Sequence, residues 1–267
     1  MASSPTILVF DSGLGGLTVF REVAAARPDA RYVYAADDEF FPYGRHSEAT
    51  LSARVLAILG RLIMSERPDL VVIACNTAST LVLPRLRERY KIPFVGTVPA
   101  IKPACAVSKT KRVSVLGTEA TIAREYTRAL IRQFAQGCEV TLVGARQLAM
   151  LAEAALRGEL VADCDIAREI ASCFVDDGTA RTDTVALACT HYPLLLDRLK
   201  KLSPWPVEWV DPAEAIARRV VELIGPKASD EPPPPARLIL TSGKHPSRAL
   251  AKSLARFGLE NVTQGAV

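Results

Sequence analysis

The chain has 267 residues, 49% hydrophobic and 23% charged, with a formal net charge of +4. That length allows one large or two small domains whose cores need no disulfide or metal staple. The mild, scattered charge excludes a nucleic-acid footprint, and no apolar run approaches the ~18 residues of a membrane span. The opening MASSPTILVF has neither a basic nor a long apolar signal region, so a cytoplasmic location is expected.

Short apolar runs at 6–10 (TILVF), 32–36, 70–74 (LVVIA) and 93–96 predict buried parallel strands. Runs at 112–116, 139–143, 184–188 (TVALA), 207–210 and 237–241 predict five more. Helical apolar spacing covers 50–65, 121–134, 163–176 and 212–224. Strand–helix alternation of this kind gives parallel sheets with helices on both faces.

The pattern also repeats. The strand ending at Asp11-Ser12-Gly13 is matched by one ending at Gly117-Thr118-Glu119, and LVVIACNTAS is matched by TVALACTHYP. A duplication predicts an α/β fold of two pseudo-symmetric lobes, each a mostly parallel sheet flanked by helices, with the active site in the cleft between them. Clustered Pro and Gly place the crossings near 96–99 and 203–212. The first lobe is then 1–97 plus 209–267, and the second is 98–208. The Pro-rich stretch 225–236 (GPKASDEPPPPA) reads as an extended surface connection.

Cys75 and Cys189 each end a predicted buried strand, the edge where open α/β sheets bind ligands. Asn76-Thr77 and Thr190-His191 follow them and can cap the next helix. A thiol there is expected to meet free backbone N–H groups and a helix dipole, which lower its pKa from ~8.5. The plain alternative is two inert core cysteines, the reading kept for Cys105, Cys138, Cys164 and Cys173. Two such bases facing each other can move a proton between opposite faces of one carbon, which a single base cannot do without a large displacement.

The loop DSGLGGL at 11–17 predicts a tight turn with N–H groups open to an anion. Thr18 breaks the dinucleotide fingerprint, and no GK[ST] follows to make a P-loop. Asp11 either serves Cys75 or caps a helix. Of the three histidines, His191 lies two residues beyond Cys189 and is a candidate to assist its proton transfer. With no HExxH and no CxxC pair, no metal is expected.

These stretches resemble the glutamate racemases of the aspartate/glutamate racemase superfamily. The resemblance rests on Asp11-Ser12-Gly13-Leu14-Gly15-Gly16-Leu17, Pro42-Tyr43-Gly44, Ala74-Cys75-Asn76-Thr77-Ala78-Ser79, Pro99-Ala100-Ile101-Lys102-Pro103 and Ala188-Cys189-Thr190-His191-Tyr192-Pro193-Leu194. It implies interconversion of L- and D-glutamate without cofactor or metal, supplying D-glutamate for peptidoglycan, and it allows a homodimer. It implies Cys75 as the base for D-glutamate and Cys189 for L-glutamate, with Asp11, His191 and Glu153 supporting. It further implies substrate contacts from Asp11, Ser12, Tyr43, Gly44, Asn76, Thr77, Thr118, Thr121, Thr190 and His191. No arginine lies in these motifs, so charge balance is expected from dipoles and hydrogen bonds. Two alternatives stay open: a single-cysteine decarboxylase or hydrolase on the same scaffold, and a non-catalytic amino-acid-binding protein.

Overall fold

The computed structural model describes residues 4–135, 137–227 and 233–263. In chain order the first part runs β1 (Thr6–Asp11), α1 (Leu17–Ala26), β2 (Arg31–Ala36), α2 (Glu48–Glu66), β3 (Leu70–Ile73), α3 (Asn76–Arg89) and β4 (Phe94–Gly96). The middle runs α4 (Ile101–Val107), β5 (Arg112–Thr118), α5 (Glu119–Ala123), α6 (Glu125–Phe134), β6 (Glu139–Ala145), α7 (Leu148–Leu156), α8 (Asp163–Ile170), β7 (Thr184–Ala188), α9 (Leu196–Leu202) and β8 (Glu208–Val210). The chain closes with α10 (Ala213–Ile224), β9 (Arg237–Leu240), α11 (Arg248–Ala255) and β10 (Asn261–Thr263).

Two sheets form, in the orders β10-β9-β2-β1-β3-β4 and β6-β5-β7-β8, and every named pairing is parallel. The second sheet repeats the order β2-β1-β3-β4 strand for strand, which supports duplication. Each central strand is apolar on both faces because helices cover both. In β1, Ile7 and Val9 join the core under α1, α10 and α11, while Leu8 and Phe10 join the core under α2 and α3. In β5, Val113 and Val115 pack towards α4 and α6, and Leu116 packs towards α7, α8 and α9. Among the described residues no helix is long and apolar enough to cross a membrane.

Several expectations need correction. β8 pairs with β7, so the second crossing falls after Val210 and not at 208/209. The helix expected at 121–134 is two helices, because Arg124 adopts an extended φ −75, ψ 142 between them and reaches out to Thr77. The helix expected to end at 176 ends as α8 at Ile170, followed by a tight turn over 171–173. There the Cys173 carbonyl accepts from Ser114 Oγ at 2.7 Å, which ties the chain to β5. The middle of the Pro-rich stretch, residues 228–232, lies outside the described residues.

Candidate active site

Both sheets point their carboxyl ends at one small, tight cavity. Ser12, Phe41, Pro42, Tyr43, Gly44, Cys75, Asn76 and Thr77 wall it from the first lobe. Thr118, Ala149, Ala188, Cys189, Thr190 and His191 wall it from the second. Cys75 and Cys189 therefore face one space from equivalent strand ends. Ser12 and Thr118, paired by the sequence repeat, do the same.

Cys75 is itself the N-cap of α3, and its sulfur accepts from the Ala78 N–H at 3.4 Å. Its thiol donates to Ser12 Oγ at 3.5 Å. The expected fall in pKa does not occur. Burial, reinforced by the nearby Asp11 charge, pushes the Cys75 thiol up to about 12, against the Ser12 and Ala78 hydrogen bonds. The field of Cys189 acts in the same upward direction.

Cys189 is held differently. No α-helix begins beside it; a short 3₁₀ turn over Tyr192–Leu195 follows. Its sulfur lies 3.9 Å from His191 Nδ1, and His191 Nε2 lies 3.1 Å from Glu153 Oε1 on α7. Burial disfavours the imidazolium, but the flanking Cys189 and Glu153 raise the His191 pKa well above its ordinary value. Burial likewise opposes ionisation of Glu153. His191, the Leu14 N–H and Arg157 outweigh it and hold the carboxyl at about 2. The result is a carboxylate–imidazolium–sulfur line, in which the imidazolium can donate an N–H towards the Cys189 sulfur while Glu153 fixes the ring.

The glycine loop is not open to an outside anion as expected; its N–H groups serve the protein's own side chains. Gly13 and Gly16 donate to Asp11 Oδ2 at 3.2 and 3.0 Å. Leu14 donates to Glu153 Oε1 at 2.7 Å, and the Gly15 N–H lies 3.2 Å from His191 Nε2. Glycine is required by close approach: a Cβ on Gly13 would sit 2.1 Å from Glu153 Oε1, and one on Gly15 would sit 2.3 Å from His191 Nδ1.

Three of the expected site residues lie behind the wall. Asp11 is wholly buried, and Thr190 Oγ1 donates to its Oδ1 at 3.4 Å. Burial raises its pKa, against His191 and the loop N–H groups. Thr121 is buried and shares its hydroxyl with Thr77 at 3.2 Å and Thr118 at 3.0 Å. Glu153 stands behind His191. All three position the residues that line the cavity.

Asn76 is 3% exposed, and neither its Oδ1 nor its Nδ2 has a hydrogen-bond partner among the described residues. Buried amides are rarely left so, which makes this one a candidate ligand group. Tyr43 donates to Asp37 Oδ2 at 2.7 Å, and Arg54 and Thr241 also donate to Asp37. Burial and this carboxylate push the Tyr43 phenol well above its usual pKa, so it stays a hydrogen-bond donor. Asp37 escaped the sequence reading, although it follows β2 just as Asp11 ends β1. Phe41 sets its ring centroid 5.1 Å from that of His191.

The family model for Asp/Glu/Hydantoin racemase matches residues 17–220. The chain is 51% identical over 255 residues to a glutamate racemase of Brucella anthropi, covering 95% of this chain and 92% of that one. A glutamate racemase of Brucella ovis is 49% identical over 261 residues, covering 97% and 94%. Among solved structures, Escherichia coli glutamate racemase in complex with L-glutamate and the activator UDP-MurNAc-ala superposes with a TM-score of 0.88 at 40% identity, covering 97% of each chain. A glutamate racemase isoform from Bacillus anthracis gives 0.81 at 26% identity, covering 100% of this chain and 99% of that one.

Proposed function

Because this chain belongs to the Asp/Glu/hydantoin racemase family, we propose that it is a cytoplasmic glutamate racemase working by two-base proton transfer without a cofactor. One observation carries this reading: Cys75 and Cys189, from equivalent strand ends of two lobes, wall the same cavity. The enantiomers differ only in which side of the α-carbon bears the proton. Two sulfurs on opposite walls meet that requirement without moving the substrate.

With L-glutamate bound, the Cys189 thiolate takes the α-proton. The electron pair left on carbon spreads into the α-carboxylate, and the Cys75 thiol delivers a proton to the other face. The enzyme is left with a Cys75 thiolate and a Cys189 thiol, the reverse of its starting state and the form that accepts D-glutamate. Asp11 and the Glu153–His191 line support their respective sulfurs. Asn76, Thr77, Thr118, Thr190, Ser12, Tyr43 and Gly44 hold the substrate's polar groups. A carbon acid is far weaker than a thiol, so tight positioning and exclusion of water supply much of the rate. The product serves peptidoglycan assembly.

The test is purified protein with L-glutamate and no added cofactor, followed by circular dichroism to zero signal. In heavy water the inverted product should carry deuterium at its α-carbon. Protein that binds glutamate without changing the signal sinks the reading. The Glu153–His191–Cys189 line also suits a single-cysteine decarboxylase or hydrolase. Retention of glutamate turnover by Cys75→Ala, with loss in Cys189→Ala, would decide for that alternative.

A further inference from the structure

Arg124 is placed against ordinary electrostatics. It is 8% exposed, sits between α5 and α6 of the second lobe, and extends into the first. Its Nη1 donates to the Thr77 carbonyl at 2.8 Å and to Thr80 Oγ1, both in the first turns of α3. A cation there opposes the positive end of the helix dipole. Its anionic partner is Glu48, 3.5 Å away and 68% exposed on its side chain. Its Nε is buried without a hydrogen bond among the described residues. A buried charge so weakly paired is costly unless another anion compensates.

The one cavity group whose negative charge favours Arg124 is Cys75. Thr77 lies two residues beyond Cys75 in the same helical turn, and Cys75, Asn76 and Thr77 all line the space. Burial disfavours the Arg124 cation, and negative charge on Glu48 and on Cys75 favours it. The other ionisable groups facing Cys75 are Asp11 from β1, Tyr34 from β2, Tyr43 from the 37–47 loop and Cys189 from the second lobe. Each bears negative charge when ionised, and so opposes a thiolate.

We infer that Arg124 is a positioning residue. It clamps the first turn of α3 from the opposite lobe and supplies the positive charge that makes the Cys75 thiolate accessible in a buried site. It adds a cation from outside the motifs to the dipoles and hydrogen bonds expected to balance charge at the site. It rests on Cys75 being one of the two bases, and its test reads that sulfur directly, whether or not glutamate turns over.

The experiment measures alkylation of Cys75 by uncharged iodoacetamide between pH 7 and 9, with the modified peptide quantified by mass spectrometry. Arg124→Gln should slow alkylation at fixed pH on the order of threefold to tenfold, since a harder-to-ionise thiol presents less thiolate. Arg124→Lys, which keeps the charge, should return to within about twofold of wild type. Glu48→Gln removes an opposing charge from an exposed position that leaves the fold alone, and should speed alkylation by about twofold. A purely structural Arg124 predicts the reverse for Arg124→Gln: a loosened turn, an exposed sulfur and faster alkylation. Faster or unchanged alkylation in Arg124→Gln overturns the inference. If that variant does not fold, slower alkylation in Glu48→Gln, or loss greater than threefold in Arg124→Lys, overturns it instead.

Discussion

Cys75 and Cys189 end equivalent strands of a repeated sheet, yet their neighbourhoods handle protons in opposite ways. Around Cys75 the partners are a hydroxyl, a backbone N–H and the buried Asp11, and burial keeps the sulfur protonated. Around Cys189 stands His191, pinned by Glu153 and favoured as an imidazolium. Duplication therefore kept the backbone position and let the proton chemistry diverge. Divergence of this kind is useful, because a two-base exchange needs one sulfur with a proton and one without at the start of each turnover.

Removing either sulfur gives the largest effect. Cys75→Ala and Cys189→Ala should each cost at least about 10³-fold in kcat/KM by the dichroism assay. The enantiomers have equal free energy, so at equilibrium kcat/KM must fall by the same factor in both directions. Any asymmetry between the halves will appear in the α-deuterium isotope effects of the two directions.

Next comes the relay. His191→Asn should cost about 10²-fold in kcat, with the isotope effect rising for L-glutamate, whose proton goes to Cys189 in the proposed exchange. Equal isotope effects in both directions would mean that the halves do not differ as described.

The same pair sets a pH window for stability. Glu153 is held at about 2, below its ordinary ~4.3, so its contribution is present above ~4.3 and lost as pH falls through about 2. His191 is raised, so its contribution is present below ~6.5 and lost as pH rises through its folded value. Urea unfolding at pH 5 and pH 3 should show a loss on the order of 2 kcal/mol in the wild type. That difference should shrink in Glu153→Gln. A smaller effect, about 1 to 2 kcal/mol, is expected for Tyr43→Phe, which leaves Asp37 one donor short. Its measure is the urea midpoint at pH 7.

Much of this was legible in the chain and some was not, for physical reasons. The central strands are covered on both faces, so they read as unbroken apolar runs. β10 pairs over only Asn261–Thr263, too short and polar to announce itself. The cavity wall was legible because strand-end motifs place polar residues beside each cysteine. In the supporting shell, Asp11 and His191 sat beside the motifs and Glu153 came only through the resemblance, while the contacts themselves were not legible because they run between lobes: Leu14 to Glu153 spans 139 positions, and Arg124 to Thr77 spans 47. Arg124 broke a helix to make its contact, a tertiary demand that local apolar spacing does not carry.

The glycine loop has a last consequence. Its grip on Glu153, which in turn holds His191, crosses the boundary between the two sheets. Any swing that parts the sheets at this edge must first pull Glu153 off the loop, taking apart the Glu153–His191–Cys189 line. The arrangement around Cys189 is therefore shared property of the two lobes, and lasts only as long as they stay together at this edge.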